Sequence, residues 1–178
     1  MKRGRGNQKG FTIVELLIVI VVIGILAAIT IVAYNGIQVR AQDTQRATDI
    51  ANILKTLEAY KTVNDGLFPV ATSTAGGGSY EASTETSGTF MEYLTPTYFN
   101  KMPVDPINDG SHYYRYYRYS AATVATYGCP GRGALAVLFA IGFEDAANRP
   151  TNDPILTCGA QTWSGSNNNL FRYRFENG

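Results

Sequence analysis

Polar and apolar positions divide the 178-residue chain into unlike stretches. Residues 1–10, MKRGRGNQKG, hold Lys2, Arg3, Arg5 and Lys9 and no acid. From Phe11 to Tyr34 the chain is apolar for 24 residues, with Glu15 as the single charge. As a helix this stretch reaches about 36 Å against a hydrocarbon thickness of roughly 30 Å, so it spans a bilayer with a little tilt. From Asn35 to Val63 the pattern becomes one-sided: Ile37, Ala41, Ala47, Ile50, Ala51, Ile53, Leu54, Leu57 and Tyr60 recur at steps of three and four. The charges between them, Arg40, Asp43, Arg46, Asp49, Lys55, Glu58 and Lys61, predict a solvated opposite face. Asn64-Asp65-Gly66 and then Phe68-Pro69 predict the stop, with Gly66 in the left-handed C-cap conformation, giving one helix of about 50 residues.

The remainder reads as short elements joined by polar turns. Ala71 to Thr89, with Gly76-Gly77-Gly78, predicts a surface loop, and Phe90 to Leu94 a single helical turn. Pro103 and Pro106 restrict φ on either side of Asp105, whose carboxylate can accept a backbone amide, so this run predicts a corner and no catalytic role. Three strands follow: His112 to Ser120, Ala134 to Phe143, and Leu170 to Glu176. The second is apolar on both faces and should be central, while the last alternates aromatic and charged residues and should have one wet face. A further strand is expected near Ala122 to Tyr127 or Ile155 to Trp163. The fold class is α+β: a long N-terminal helix packed against a small antiparallel sheet of three to five strands, in about the layering such patterns produce.

Charge adds direction to this outline. The basic leader places the N-terminus in the cytoplasm and everything after Tyr34 outside. The apolar run is longer than the roughly 7–15 residues of a secretory signal core, and no Ala-x-Ala site closes it. Glu15 within a span costs about 2.5 kcal/mol or more unless it finds a partner. Without the four leader cations, 15 basic and 14 acidic residues become 11 and 14, a formal −3 that gives no footprint for nucleic acid. The run HYYRYYRY offers rings and arginines, but aromatic residues are what strands favour, and nucleic acid is not expected as a partner.

Chemistry-bearing residues are few. Cys129 and Cys158, an even count in the oxidising exterior, predict one bridge, whose closed loop contributes about 3–4 kcal/mol. Two cysteines with the single His112 lack the ligand number and spacing of a metal site. Glu144, Asp145, Asn148, Asn152 and Asp153 could offer oxygens to calcium, but the EF-hand order is absent and a polar loop is the preferred reading. No metal or cofactor is expected. No nucleophile elbow, HExxH, P-loop or CxxC occurs, so an enzyme is not expected either.

Gly10-Phe11-Thr12-Ile13-Val14-Glu15, followed by Leu16 to Ile29, resembles the prepilin processing signature of type IV pilins and type II secretion pseudopilins. The resemblance implies cleavage between Gly10 and Phe11 by a membrane prepilin peptidase, methylation of the Phe11 amine, and Glu15 as an assembly residue. Gly10 leaves an extended backbone unobstructed. Cleavage frees an amine with an ordinary pKa near 8, four residues before Glu15. A stacked neighbour could offer that amine to the carboxylate, and a paired buried charge costs far less than a lone one. Tyr98 to Pro106, then Asp109-Gly110 and Tyr113-Tyr114, resembles the pseudopilin apolar-Pro-x-Asp-Pro segment. Gly24 matches the family's mid-span glycine, but Val32 stands where the family usually has Pro, and Asn35-Gly36 is a second weak point.

The implied organisation is a leader at 1–10, a transmembrane and assembly half at 11–34, an amphipathic half at 35–66, and a head at 67–178. The implied function is a structural subunit of a type IV pilus-like helical homo-oligomer, served by the prepilin peptidase and methylase and by inner-membrane assembly machinery. It would cross the cytoplasmic membrane once before assembly and lie in an extracellular pilus afterwards. The alternatives are a major pseudopilin of a type II secretion-like system and a membrane-anchored adhesin or DNA-uptake minor pilin.

Overall fold

The computed structural model describes residues 10–71, 80–84, 90–166 and 168–177. The basic leader before Gly10 and the Gly76-Gly77-Gly78 run lie outside the described residues. Helix α1 covers Ile13–Val63 and is continuous through Gly24 and Asn35-Gly36. Among the described residues it alone is long and apolar enough to cross a membrane. From Ile13 to Ile31, and again at Tyr34 and Ile37, its described large apolar side chains are exposed to solvent, with Ile13 at 80%. Bulk water is therefore the wrong medium for this half, as the apolar run predicts. From Ala47 on, Ile50, Ile53 and Leu57 are fully buried, so the one-sided pattern is a packing face.

The helix stops as the Asn-Asp-Gly signal requires, with one difference. Asp65 (φ 54°) already takes the left-handed conformation ahead of Gly66 (φ 77°). The Gly66 amide donates back to the Lys61 carbonyl at 3.0 Å, which satisfies one of the helix's orphan carbonyls.

Strands β1 (Tyr80–Ala82), β2 (Tyr113–Tyr119), β3 (Leu135–Ile141) and β6 (Asn169–Phe175) form one antiparallel sheet in the order β1-β2-β3-β6. Between β3 and β6, β4 (Leu156–Cys158) and β5 (Gln161–Trp163) make a separate two-stranded sheet. Cross-strand partners such as Tyr80, Tyr117, Val137 and Tyr173 share a face. On one face Tyr114, Tyr116, Ala136, Leu138, Ala140 and Leu170 pack with the apolar stripe of α1 and with Phe68, Met91 and Leu94. On the other, Leu135, Val137, Phe171 and Phe175 form a second core beneath Val124, Leu156 and Cys158. β3 is buried almost throughout, as a central strand that is apolar on both faces should be.

Five expectations need correction. The stretch Ala122 to Tyr127 is not a strand: α2 (Ala121–Thr126) forms there, because Ser120 Oγ accepts the Thr123 amide and the alanines favour helix. Ile155 to Trp163 supplies strands, but as the hairpin rather than as part of the main sheet. The predicted loop at Ala71 to Thr89 contains β1, whose buried Glu81 accepts the Met91 amide at 2.7 Å. Finally, the charged stripe of the amphipathic helix is not simply solvated, since Asp43 and Arg46 are fully buried. The wet face of β6 is also half-buried, with Arg174 Nη1 3.0 Å from Asp153 and Arg174 Nε 3.5 Å from Glu58.

The predicted bridge is present. Cys129 and Cys158 are joined across 29 positions, tying the segment after α2 to β4. Gly159 then turns the hairpin at φ 57°, where a Cβ would come within 2.5 Å of the Tyr127 carbonyl. Replacing both cysteines with serine should cost about 3–4 kcal/mol in denaturant unfolding of the head. Native protein should gain two hydrogens in mass on reduction; two freely alkylated thiols before reduction would contradict the bridge.

Candidate functional site

The N-terminal end of α1 is built from three consecutive features. Gly10 and Phe11 precede the helix and are exposed; Thr12 is its N-cap; Glu15 is its third residue. Thr12 Oγ1 accepts the Glu15 amide at 3.2 Å, while Glu15 Oε2 accepts the Thr12 amide at 2.7 Å and its hydroxyl at 2.8 Å. This is a reciprocal capping box, Thr-x-x-Glu at the head of an apolar run. It satisfies two orphan helix donors and points the carboxylate back toward Phe11. All of Glu15's bonds go to Oε2, so Oε1 takes none among the described residues. Sequence reasoning identified Glu15 but not Thr12, although the Thr-x-x-Glu spacing was the available signal.

A second charged constellation lies in the head. Arg46 reaches Asp105 with Nε at 2.7 Å and Nη2 at 3.1 Å, and Asp43 with Nη1 at 2.9 Å. The Asp43 and Arg46 side chains are 0% exposed, as is that of Asp105. Asp43 also accepts the Glu144 and Asp145 amides at 3.0 Å and Asn148 Nδ2 at 3.2 Å. Asp105 accepts the Ile107 amide at 2.9 Å, which makes the Pro103-to-Pro106 corner that the sequence predicts. Burial alone would lower the Arg46 guanidinium's pKa, but the two carboxylates more than reverse this and keep it charged. One helical turn thus clamps both the corner and the segment after β3. Asp49, one turn on, accepts the Tyr114 hydroxyl at 2.9 Å, and burial raises its carboxyl above the ordinary range.

At the other end of the sheet Glu176 Oε1 accepts Arg118 Nη2 at 2.6 Å and the Phe68 amide at 3.0 Å, and Oε2 accepts the Ala134 amide at 3.1 Å. Burial pushes this carboxyl up, but Arg118 and the two amides outweigh it and hold it below its ordinary 4.5. A carboxyl lowered on folding stabilises the fold above its unfolded pKa and loses that stabilisation as the pH falls through the folded value. Stability should therefore decline below about pH 4.5, and less steeply in Glu176→Gln, when melts are compared across about pH 3 to 7.

The proposed ligand sets do not converge. Glu144 and Asp145 bind Asp43 through their amides, whereas Asn152 accepts the Phe171 amide and Asp153 holds Arg174. Both cysteines are in the disulfide, and His112 places Nδ1 3.0 Å from Asp109 and Nε2 3.0 Å from Glu144, two carboxylates on opposite sides of the ring. Among the described residues no group of three or more His, Cys, Asp or Glu side chains is arranged to hold a metal. In HYYRYYRY, Tyr114 and Tyr116 are core residues and Arg118 is paired, so these three are unavailable to a nucleic acid.

One membrane-length helix with a capped carboxylate at its start, continued into a helix-and-sheet head, defines a protein of pilin-like α+β architecture. Residues 5–31 match the family described as the prokaryotic N-terminal methylation motif. The chain is 27% identical to type II secretion system core protein G of Vibrio cholerae over 132 residues, 74% of this chain and 87% of the relative. It is 45% identical to a fimbrial protein of Moraxella nonliquefaciens over 71 residues, covering 40% of this chain and 46% of the relative. With the type IV major pilin protein PilE of Neisseria gonorrhoeae it shares 40% over 72 residues, 40% of this chain and 42% of that protein. The match thus spans less than half the length of each of these two relatives. No solved structure matches. In its N-terminal motif and its relatives the chain is similar to type IV pilins and to type II secretion core protein G.

Proposed function

We propose that this protein is the structural subunit of a type IV pilus-like filament, cleaved after Gly10, methylated on the Phe11 amine, and assembled through the 11–34 half of α1. The observation that carries this reading is the Thr12–Glu15 cap within a membrane-length helix. A cap is worth about 1 kcal/mol, whereas a carboxylate in a span costs about 2.5 kcal/mol or more. Local bonds therefore leave a deficit, which a processed amine from a stacked neighbour would make up by pairing with the carboxylate. Peptidase, methylase and assembly machinery in the inner membrane would be the partners, with the leader in the cytoplasm before processing.

A second reading, a major pseudopilin of a type II secretion-like system, is favoured by one observation: the match to core protein G covers 87% of that relative, beyond the shared helix. Deleting the chain from its host and restoring it separates the two. A pilus subunit restores long surface fibres that can be sheared from cells, while a pseudopilin restores export of a secreted protein and yields no sheared fibres at native levels. If neither phenotype depends on the chain, the filament reading fails.

A further inference from the structure

The outer face of the sheet at its β1–β2 end forms the margin of the second core, with Tyr117, Tyr119, Phe139 and Trp163 only partly buried against it. Tyr80, Arg115, Tyr117 and Phe139 share this face, all half-buried. Tyr80 and Tyr117 lie 4.9 Å apart, and Tyr117 and Tyr119 are nearly parallel, 3° between planes at 5.7 Å. The row continues from Tyr119 to Trp163 at 5.5 Å. The Arg115 guanidinium sits 5.1–5.7 Å from the ring centroids of Tyr80, Tyr117 and Phe139. Its Nε is buried without a hydrogen-bond partner. Arg46, Arg118, Arg172 and Arg174 each meet a carboxylate, whereas Arg115 meets rings alone among the described residues.

We infer that this face is a platform for an acidic polysaccharide, with the tyrosine faces against the apolar C–H faces of the sugars and Arg115 on a uronate carboxylate. A guanidinium held among rings keeps its planar fork of donors, which matches a carboxylate in a bidentate geometry. Stacking supplies contact area that tolerates varied sugars, because ring faces read shape rather than hydrogen-bond pattern. Among the described residues of this patch Arg115 is one cation beside several rings, which argues for this occupant over single-stranded nucleic acid, whose phosphates demand a basic groove along the strand. Alternation in β2 sends Arg118 to the opposite face, where Glu176 engages it. The charge offered is thus one cation to several rings, the ratio of an occasional carboxylate on a chain of sugars.

The detergent-solubilised full chain, titrated with oligogalacturonate, tests this through the fluorescence of Trp163, the one tryptophan in the sequence. A saturable change is expected with oligogalacturonate and none with neutral dextran. Arg115→Gln and Tyr117→Ala should each weaken binding by about tenfold or more, while Lys101→Gln, in the exposed turn before the Pro103 corner, should leave it within about twofold. Should Arg115→Gln fail to fold, Arg115→Lys serves, since it keeps the charge but loses the bidentate fork and should weaken binding with an unchanged melting curve. Equal binding of dextran, no saturable change, or indifference to Arg115 overturns the inference. Tighter binding of an oligothymidylate through the same residues overturns it in favour of nucleic acid.

Discussion

Replacing Glu15 with alanine is expected to leave cleavage after Gly10 intact and to reduce assembled fibres by about tenfold or more. The reasoning lies in two unequal energies. In the membrane-held monomer the capping box returns about 1 kcal/mol of a penalty of about 2.5 kcal/mol or more, so alanine relieves the monomer. In the filament alanine leaves a neighbour's amine without its counter-charge, and about 1.4 kcal/mol at each contact is tenfold in the association constant. Both shifts favour the unassembled state. Glu15→Gln separates the roles, because an amide oxygen can still accept the Thr12 donors but carries no charge. Fibre yield by immunoblot of sheared material, beside the N-terminal mass of the cell-bound subunit, reads both. Wild-type yield from Glu15→Gln would reduce Glu15 to a helix cap.

The largest effect on stability is expected at Arg46. Arg46→Ala leaves Asp43 and Asp105 buried with no cation, and removing one partner of a buried pair costs about 3–5 kcal/mol. Against a native stability of about 5–15 kcal/mol, this would unfold a large share of the molecules near 37 °C. The corner at Asp105 and the segment at Glu144 to Asn148 should loosen first, since both hang on the same helical turn. The triple change Asp43→Asn, Arg46→Met, Asp105→Asn removes the charges together and should recover most of the loss. Denaturant melts of the three proteins at neutral pH check this. A single Arg46→Ala within about 0.5 kcal/mol of wild type would show that the ion pairs are incidental.

Where the sequence was readable, a period or a local signal carried the information. The 24-residue apolar run, the steps of three and four through Leu57, and the Asn64-Asp65-Gly66 stop are short-range patterns, and α1 follows them to within a few residues. The three long strands are legible for the same reason, and the corner at Asp105 follows from its flanking prolines. What escaped depends on pairing across the chain. Asp43 and Arg46 look like any solvated i,i+3 pair until Asp105, 59 positions beyond Arg46, closes over them. β1 is only Tyr-Glu-Ala within a Ser/Thr/Gly-rich context, and it becomes a strand because β2 offers its edge. α2 turns on a cap at Ser120 that outweighs the β-branched residues in that stretch. Thr12 differs, because its spacing to Glu15 is local and the Thr-x-x-Glu pattern is itself a cap signal.

The most direct test of the filament account is the N-terminal mass spectrum of this subunit taken from fibres sheared off its native cells. The account predicts a chain beginning at N-methylated Phe11, with the leader absent and the Cys129–Cys158 bridge intact. Fibres that lack the chain, or a chain that still begins at Met1, would contradict it.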